Sequence, residues 1–125
     1  MIIRTYAQIL GIVLILVGIV GLLLGDGLLL GILNIDVVED IVHILTGGLL
    51  AYVGFGRLDF GAARSVVAAF GVVYLLVGIL GFILPNLFGL IPSGYTVFDN
   101  LLHLVLGVLS LVIVFTQPDT AAAGR

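Results

Sequence analysis

The stretch TYAQILGIVLILVGIVGLLLG, residues 5–25, contains no charged side chain. At about 1.5 Å per residue, a helix of this length crosses a hydrocarbon core about 30 Å thick. Three further uncharged runs follow at residues 41–56, 65–98 and 101–116, and Pro85 with Asn86 interrupts the longest of them. The sequence therefore predicts four transmembrane helices, with spans at about residues 5–24, 38–56, 65–84 and 98–116.

The composition is typical of a membrane protein and excludes several classes of function. Of the 125 residues, 62% are hydrophobic and 9% are charged, whereas a soluble domain is about half apolar and a quarter charged. The chain has no cysteine, which excludes disulfides and thiolate metal sites. It has no lysine and no basic run, so nucleic-acid binding has no electrostatic basis. Because motifs of nucleophilic, phosphate-binding or zinc-protease enzymes are missing, we expect a protein that is not an enzyme.

The arginines set the expected orientation of the chain. All four fall on one side of the four-span arrangement: Arg4, Arg57, Arg64 and Arg125. The positive-inside rule places that side in the cytoplasm, which predicts a multi-pass plasma-membrane protein with both termini cytoplasmic. Five of the seven acids fall on the opposite side: Asp26, Asp36, Glu39, Asp40 and Asp99.

A shift of 60 residues aligns the chain with itself without a gap. Arg4 then coincides with Arg64 and His43 with His103, and four glycine pairs coincide as well: Gly11/Gly71, Gly18/Gly78, Gly21/Gly81 and Gly47/Gly107. We therefore expect a single all-α membrane domain, an up-down-up-down bundle of two tandem helical-hairpin repeats in the same orientation. The repeats cover about residues 4–60 and 64–120. Helices in lipid pack through small residues, so these glycines are expected at helix contacts, with a hinge or a pore lining as the alternative.

The two outer connections, residues 26–36 and 85–96, are apolar for loops in water. We expect them to lie at the membrane interface, with Tyr95 in the headgroup zone. A lid over a site or a docking surface is the alternative function for these two segments.

The same polar pattern opens the second and fourth spans, as DVVEDIVH (residues 36–43) and TVFDNLLH (residues 96–103). The first and fourth positions of each pattern resemble a capping box. An acid four residues before each histidine shares its helix face. The predicted polar cluster consists of Glu39, Asp40, His43, Asp99, Asn100 and His103. We expect both histidines to point into the bundle, His43 towards Glu39 or Asp40 and His103 towards Asp99 or Asn100.

Several functions fit this cluster. The histidines could bind a divalent metal, ligate a haem or relay protons, or they could hydrogen-bond to neighbouring helices and fix the bundle geometry. We expect the last of these, in a non-enzymatic protein with a structural or accessory role through helix association and no cofactor. A cation-, proton-, metal- or haem-binding protein that uses His43 and His103 is the alternative. The expected partners are the lipid bilayer and a second copy or a larger membrane complex.

Two segments carry a resemblance to a known family: FGLIPSGYTVFDNLLHLVLGV (residues 88–108) and its weaker counterpart LGILNIDVVEDIVHILTGG (residues 30–48). They resemble the motif of small four-span prokaryotic membrane proteins grouped as domain of unknown function 4383. The shared pattern is Asn/Asp-x-x-His-x-x-x-Gly at the start of the even spans. Asn100, His103 and Gly107 match it well, whereas Asp40 replaces the usual Asn in the first copy. The resemblance implies the four-span fold and the site, and it implies no activity.

Overall fold

The computed structural model describes residues 2–117. It contains four α-helices: α1 (Ile2–Leu24), α2 (Val37–Phe55), α3 (Phe60–Ile83) and α4 (Val97–Thr116). Each is long and apolar enough to cross a membrane. The prediction of a four-helix membrane bundle is confirmed, and the chain is a multi-pass membrane protein. Arg125 and residues 118–120 of the second predicted repeat lie outside the described residues.

Helix α3 begins earlier than the third span was predicted to begin. It starts at Phe60 rather than near residue 65, because the Asp59 carboxylate accepts a hydrogen bond from the Ala62 N–H at 2.8 Å and caps the helix. Arg64 lies just before the uncharged run, yet it belongs to the first turns of the helix. A charged side chain limits the part of a helix that lies in the hydrocarbon core, but the helix can extend beyond that part.

The bundle end that carries the N-termini of α2 and α4 is called the outer end here, after the predicted orientation. Its first connection forms an antiparallel hairpin of two short strands, β1 (Gly27–Leu29) and β2 (Leu33–Ile35), with Leu28 opposite Asn34. The second connection contains a single 3₁₀ turn, Leu87–Gly89. The sequence predicted only loops at these places, and the two strands were not predicted.

The bundle is assembled from two helical hairpins. Helix α1 packs along α2 and α3 along α4, while contacts between the two hairpins are sparser. All eight predicted packing glycines lie against the other helix of their own hairpin: Gly11, Gly18, Gly21, Gly47, Gly71, Gly78, Gly81 and Gly107. A Cβ at Gly11 would lie 2.6 Å from the Ala51 nitrogen, and one at Gly107 would lie 2.6 Å from the Leu75 nitrogen. The backbones therefore approach too closely for any side chain at these points.

These contacts recur at positions that the 60-residue shift relates. Gly18 faces Ile44 as Gly78 faces Leu104, and Gly21 faces Asp40 as Gly81 faces Asn100. Superposition of the two hairpins stays a prediction of the sequence.

Two polar pairs join the hairpins inside the apolar bundle. The Tyr6 hydroxyl lies 2.6 Å from the Ser110 hydroxyl and links α1 to α4. The Thr46 hydroxyl lies 3.1 Å from the Tyr74 hydroxyl and links α2 to α3. Intramembrane hydrogen bonds of this kind average about 0.6 kcal/mol each. The larger polar cluster lies closer to the outer end.

Candidate metal centre at the outer end of the bundle

The caps of α2 and α4 position the polar cluster. Thr96 and Asp99 form a capping box: the Asp99 N–H donates to the Thr96 hydroxyl at 3.2 Å, and the Thr96 N–H donates to the Asp99 carboxylate at 2.7 Å. Asp36 caps α2 by accepting from the Val38 N–H at 2.9 Å. Glu39 occupies the position in α2 that corresponds to Asp99, yet its carboxylate accepts from the Asn34 side-chain amide at 3.1 Å. The acids at these two corresponding positions thus have different partners.

Glu39 lies between the two histidines. Its Oε1 atom is 4.0 Å from His43 Nε2, one turn further along α2, and 3.8 Å from His103 Nε2 on α4. One ligand atom from each of the three residues lies within 4.8 Å of the other two. The prediction that Asp99 or Asn100 would partner His103 is wrong, because the acid beside His103 is Glu39 from the other hairpin.

Asp99 is engaged elsewhere. Both of its carboxylate oxygens accept from the Asn34 N–H at 3.1 Å, in addition to the capping bond from Thr96. The Thr96 hydroxyl in turn donates to the Ile32 carbonyl at 2.6 Å. The β-hairpin is therefore fastened to the start of α4, and this attachment turns Asp99 away from the role that its spacing to His103 predicted.

Asp40 and Asn100 pack against glycines rather than joining the histidines. A Cβ at Gly21 would clash with Asp40 Oδ1, and one at Gly81 would clash with Asn100 Oδ1. Both side chains are buried, with exposed fractions of 3% and 2%. They belong to the contacts inside each hairpin, whereas Glu39, His43 and His103 form the contact between hairpins.

Two tyrosines that sequence reasoning did not assign to the cluster surround His103. The ring centroids of Tyr74 and Tyr95 lie 5.4 and 5.0 Å from the imidazole centroid, and both pairs are edge-on. Burial raises the pKa of Tyr95, and the nearby charge of Glu39 raises it further, so its phenol stays protonated. A cavity of about 60 Å³ lies among these side chains. Its lining residues are Glu39, Val42, His43, Thr46, Val73, Tyr74, Val77, Tyr95 and His103.

Acidic side chains outnumber basic ones at the outer end. Four buried acids lie there, each at most 5% exposed: Asp36, Glu39, Asp40 and Asp99. The arginines of the described residues lie at the other end, where Arg4 donates to the Gly56 carbonyl at 2.5 Å and to the Leu58 carbonyl. Buried carboxylates without a paired cation are costly. Among residues 2–117, only the two histidines can offer positive charge to this cluster.

Residues 4–116 match the model of a family described as Domain of unknown function (DUF4383). The chain belongs to this family. No curated protein and no solved structure matches it. The family match covers both hairpins, so the whole site lies within the DUF4383 region.

Asn34 is the residue of this DUF4383 site that was hardest to predict from the sequence. It binds Glu39 through its side chain and Asp99 through its backbone, and it is 8% exposed. Its only signal in the sequence is that it is polar within the apolar segment 28–35. The structure brings together Glu39, His43 and His103 from the predicted set and adds Asn34, Tyr74 and Tyr95 around them.

Proposed function

We propose that this protein binds one divalent transition-metal ion of the zinc class through Glu39, His43 and His103. The observation that carries the proposal is the approach of the three ligand atoms to within 4.8 Å of one another. Zinc binds histidine nitrogen and carboxylate oxygen at about 2.0–2.2 Å, which places tetrahedral ligand atoms about 3.4 Å apart. Side-chain rotations that shorten the separations by about 1.4 Å or less give that geometry.

The charge distribution supports a cation at this place. Glu39 is 4% exposed, and its oxygen already faces both imidazoles. A divalent ion would compensate the buried carboxylate and give both imidazoles a favourable partner in their neutral form. The cavity of about 60 Å³ can hold an ion with one or two waters, and it is too small for a porphyrin. These features favour a metal ion over a haem.

The proposed role of the ion is structural and non-enzymatic. Two ligands come from α2 and the third comes from α4, so the ion would connect the two hairpins where their own contacts are sparse. A metal that binds the folded bundle and not the separated hairpins stabilises the assembly by mass action. This refines the accessory role expected from the sequence. Association into an oligomer or a larger membrane complex stays a prediction.

The test is a metal titration of the purified, chelator-treated protein in detergent. Cobalt(II) should bind with one-to-one stoichiometry, produce the visible absorption of a tetrahedral site, and be displaced by zinc(II). His43→Ala and His103→Ala should each weaken binding by at least about 100-fold, since loss of even an indirect ligand contact costs 10- to 100-fold.

The control is Thr46→Val, which changes a residue that lines the same cavity without removing a metal ligand. It should bind cobalt(II) as the parent does. A parent protein without saturable binding, or histidine variants that bind as tightly as Thr46→Val, would refute the proposal.

We also propose that the outer end faces away from the cytoplasm. The arginines support this orientation, and the contacts of Arg4 with Gly56 and Leu58 keep it beside the connection between α2 and α3. The chain has no cysteine, so single substitutions can be labelled cleanly. In intact cells, Asp26→Cys should react with a membrane-impermeant maleimide, and Asp59→Cys should react only after lysis. The opposite pattern would invert the proposed topology.

A further inference from the structure

A second cavity, of about 250 Å³, lies on the other side of the histidines, between α1 and α4. Its walls are largely aliphatic and include Leu10, Val13, Leu14, Val17, Leu102 and Leu106. Val13, Val17 and Leu102 are also exposed on the lipid-facing surface. The cavity therefore opens sideways into the hydrocarbon layer, so its occupant would enter from the membrane.

Three polar residues lie at the inner end of this cavity, whose accessible surface is almost entirely apolar. His43, Asp99 and His103 line it, together with the ring of Tyr74. The Nδ1 atoms of both histidines are buried without a hydrogen-bond partner, and His103 is only 6% exposed. A buried polar group without a partner costs about 1–3 kcal/mol, so a ligand that supplies the partner binds favourably. The cavity thus combines apolar walls with two histidines whose Nδ1 atoms lack a hydrogen-bond partner.

The acidic residues near the cavity indicate which polar head group a ligand could carry. Glu39 and Asp99 are buried beside the histidines, and no arginine of the described residues reaches this end of the bundle. A phosphate or carboxylate head would meet like charge without a cation to compensate it. A neutral head with acceptor oxygens fits imidazole N–H donors, and a flat ring fits beside the aromatic ring of Tyr74. The volume lies just below the roughly 300–1,000 Å³ of drug-sized sites, which suits one ring whose tail continues into lipid.

We propose that the cavity between α1 and α4 binds the head of a lipophilic quinone. A carbonyl oxygen of the quinone accepts a hydrogen bond from a histidine ring nitrogen, and the tail leaves between Val13 and Leu102. This binding needs no metal, because the unpartnered atoms are Nδ1 whereas the proposed metal ligands approach Glu39 through Nε2. The inference goes beyond the proposed metal site and can be tested apart from it.

The test uses a decyl-substituted benzoquinone and chelator-treated protein in lipid nanodiscs, with binding followed by calorimetry. We expect one saturable site per chain. Val13→Phe projects a ring into the cavity and should weaken binding at least about tenfold through overpacking. His103→Leu should also weaken it, because the leucine offers no donor to the quinone carbonyl.

The matched control is Ile12→Phe, since Ile12 is similarly exposed on α1 but does not line the cavity. It should bind the quinone within about twofold of the parent. Decanol, which carries the same tail without the ring, should compete poorly. Equal binding by the Val13→Phe and Ile12→Phe variants, absence of a saturable site, or equal competition by decanol would each overturn the proposal. None of these results depends on whether cobalt(II) binds.

Discussion

Gly47→Ala is expected to lower the free energy of unfolding by about 1–3 kcal/mol, the usual cost of overpacking a close contact. A Cβ at this position would lie 2.8 Å from the Gly11 carbonyl oxygen and 2.8 Å from the Ile15 nitrogen. Both neighbours are backbone atoms of α1, so the clash is relieved only if the helices separate. Separation would also lengthen every neighbouring contact in the hairpin. The measurement is reversible unfolding in mixed micelles with increasing sodium dodecyl sulfate.

The adjacent Gly48 provides the control. Nothing lies within 4 Å of a Cβ at Gly48, so Gly48→Ala adds the same methyl group to the same helix without a clash. Its stability should equal or slightly exceed that of the parent, because alanine is the better helix former. If both variants lose the same stability, the loss arises within α2 and not from a clash with α1. The predicted effect of the close contact between α1 and α2 would then be wrong. Gly107→Ala should behave like Gly47→Ala, since its Cβ would lie 2.6 Å from the Leu75 nitrogen.

The helices were predictable because the hydrocarbon layer constrains them so strongly. Length and absence of charge identify a helix that can cross a membrane, and the four observed helices overlap all four predicted spans. The glycines were informative for the same reason, since small residues are what lipid-embedded helices use to approach closely. The helix ends were less predictable, because a capping residue such as Asp59 can extend a helix beyond the apolar segment.

The β-hairpin could not be predicted from its residues. Each strand has three residues, too few to show an alternating pattern. Its turn places Leu30 at φ 54° and Gly31 at φ 75°, and the Ile32 N–H donates to the Leu29 carbonyl at 3.1 Å. Leu30–Gly31 stands where Asn-Gly or Asp-Gly usually forms such a turn, and leucine is uncommon at positive φ. The sequence therefore carries no recognisable turn signal at this place. Attachment of Thr96 and Asp99 to the hairpin backbone holds the strands in place.

The candidate site was predictable within one helix and not between helices. The spacing of Glu39 and His43 places them on one face of α2, and the structure brings them within 4.0 Å. The same argument paired Asp99 with His103, and there it failed. The packing of the two hairpins brings Glu39 to His103, and the Asn34 N–H donates to the Asp99 carboxylate. Neither the packing of one hairpin on the other nor the position of Asn34 can be read from the spacing of residues within one helix.

Glu39→Gln is expected to separate metal binding from stability. The amide has the shape of the carboxylate, and its oxygen can still accept from the Asn34 side chain, whose present bond is 3.1 Å. It removes a buried acidic group that has no arginine partner among the described residues, so the metal-free variant should be at least as stable as the parent. A neutral amide is a poor ligand for zinc, and affinity for cobalt(II) should fall at least about 100-fold. Titration with cobalt(II) and thermal unfolding of the chelator-treated protein measure the two effects.

Asp40→Asn is the matched control, because it makes the same chemical change at a buried acid that packs against Gly21 rather than the histidines. Its affinity for cobalt(II) should stay within about threefold of the parent, because charges outside the ligand set act only at longer range. An equal loss of affinity in both variants would mean that general negative charge, rather than ligation by Glu39, attracts the ion. A metal-free Glu39→Gln protein much less stable than the parent would mean that the carboxylate holds the hairpins together without a metal. That result would favour the purely structural interpretation of the cluster, in which Glu39 bridges the two imidazoles without a metal.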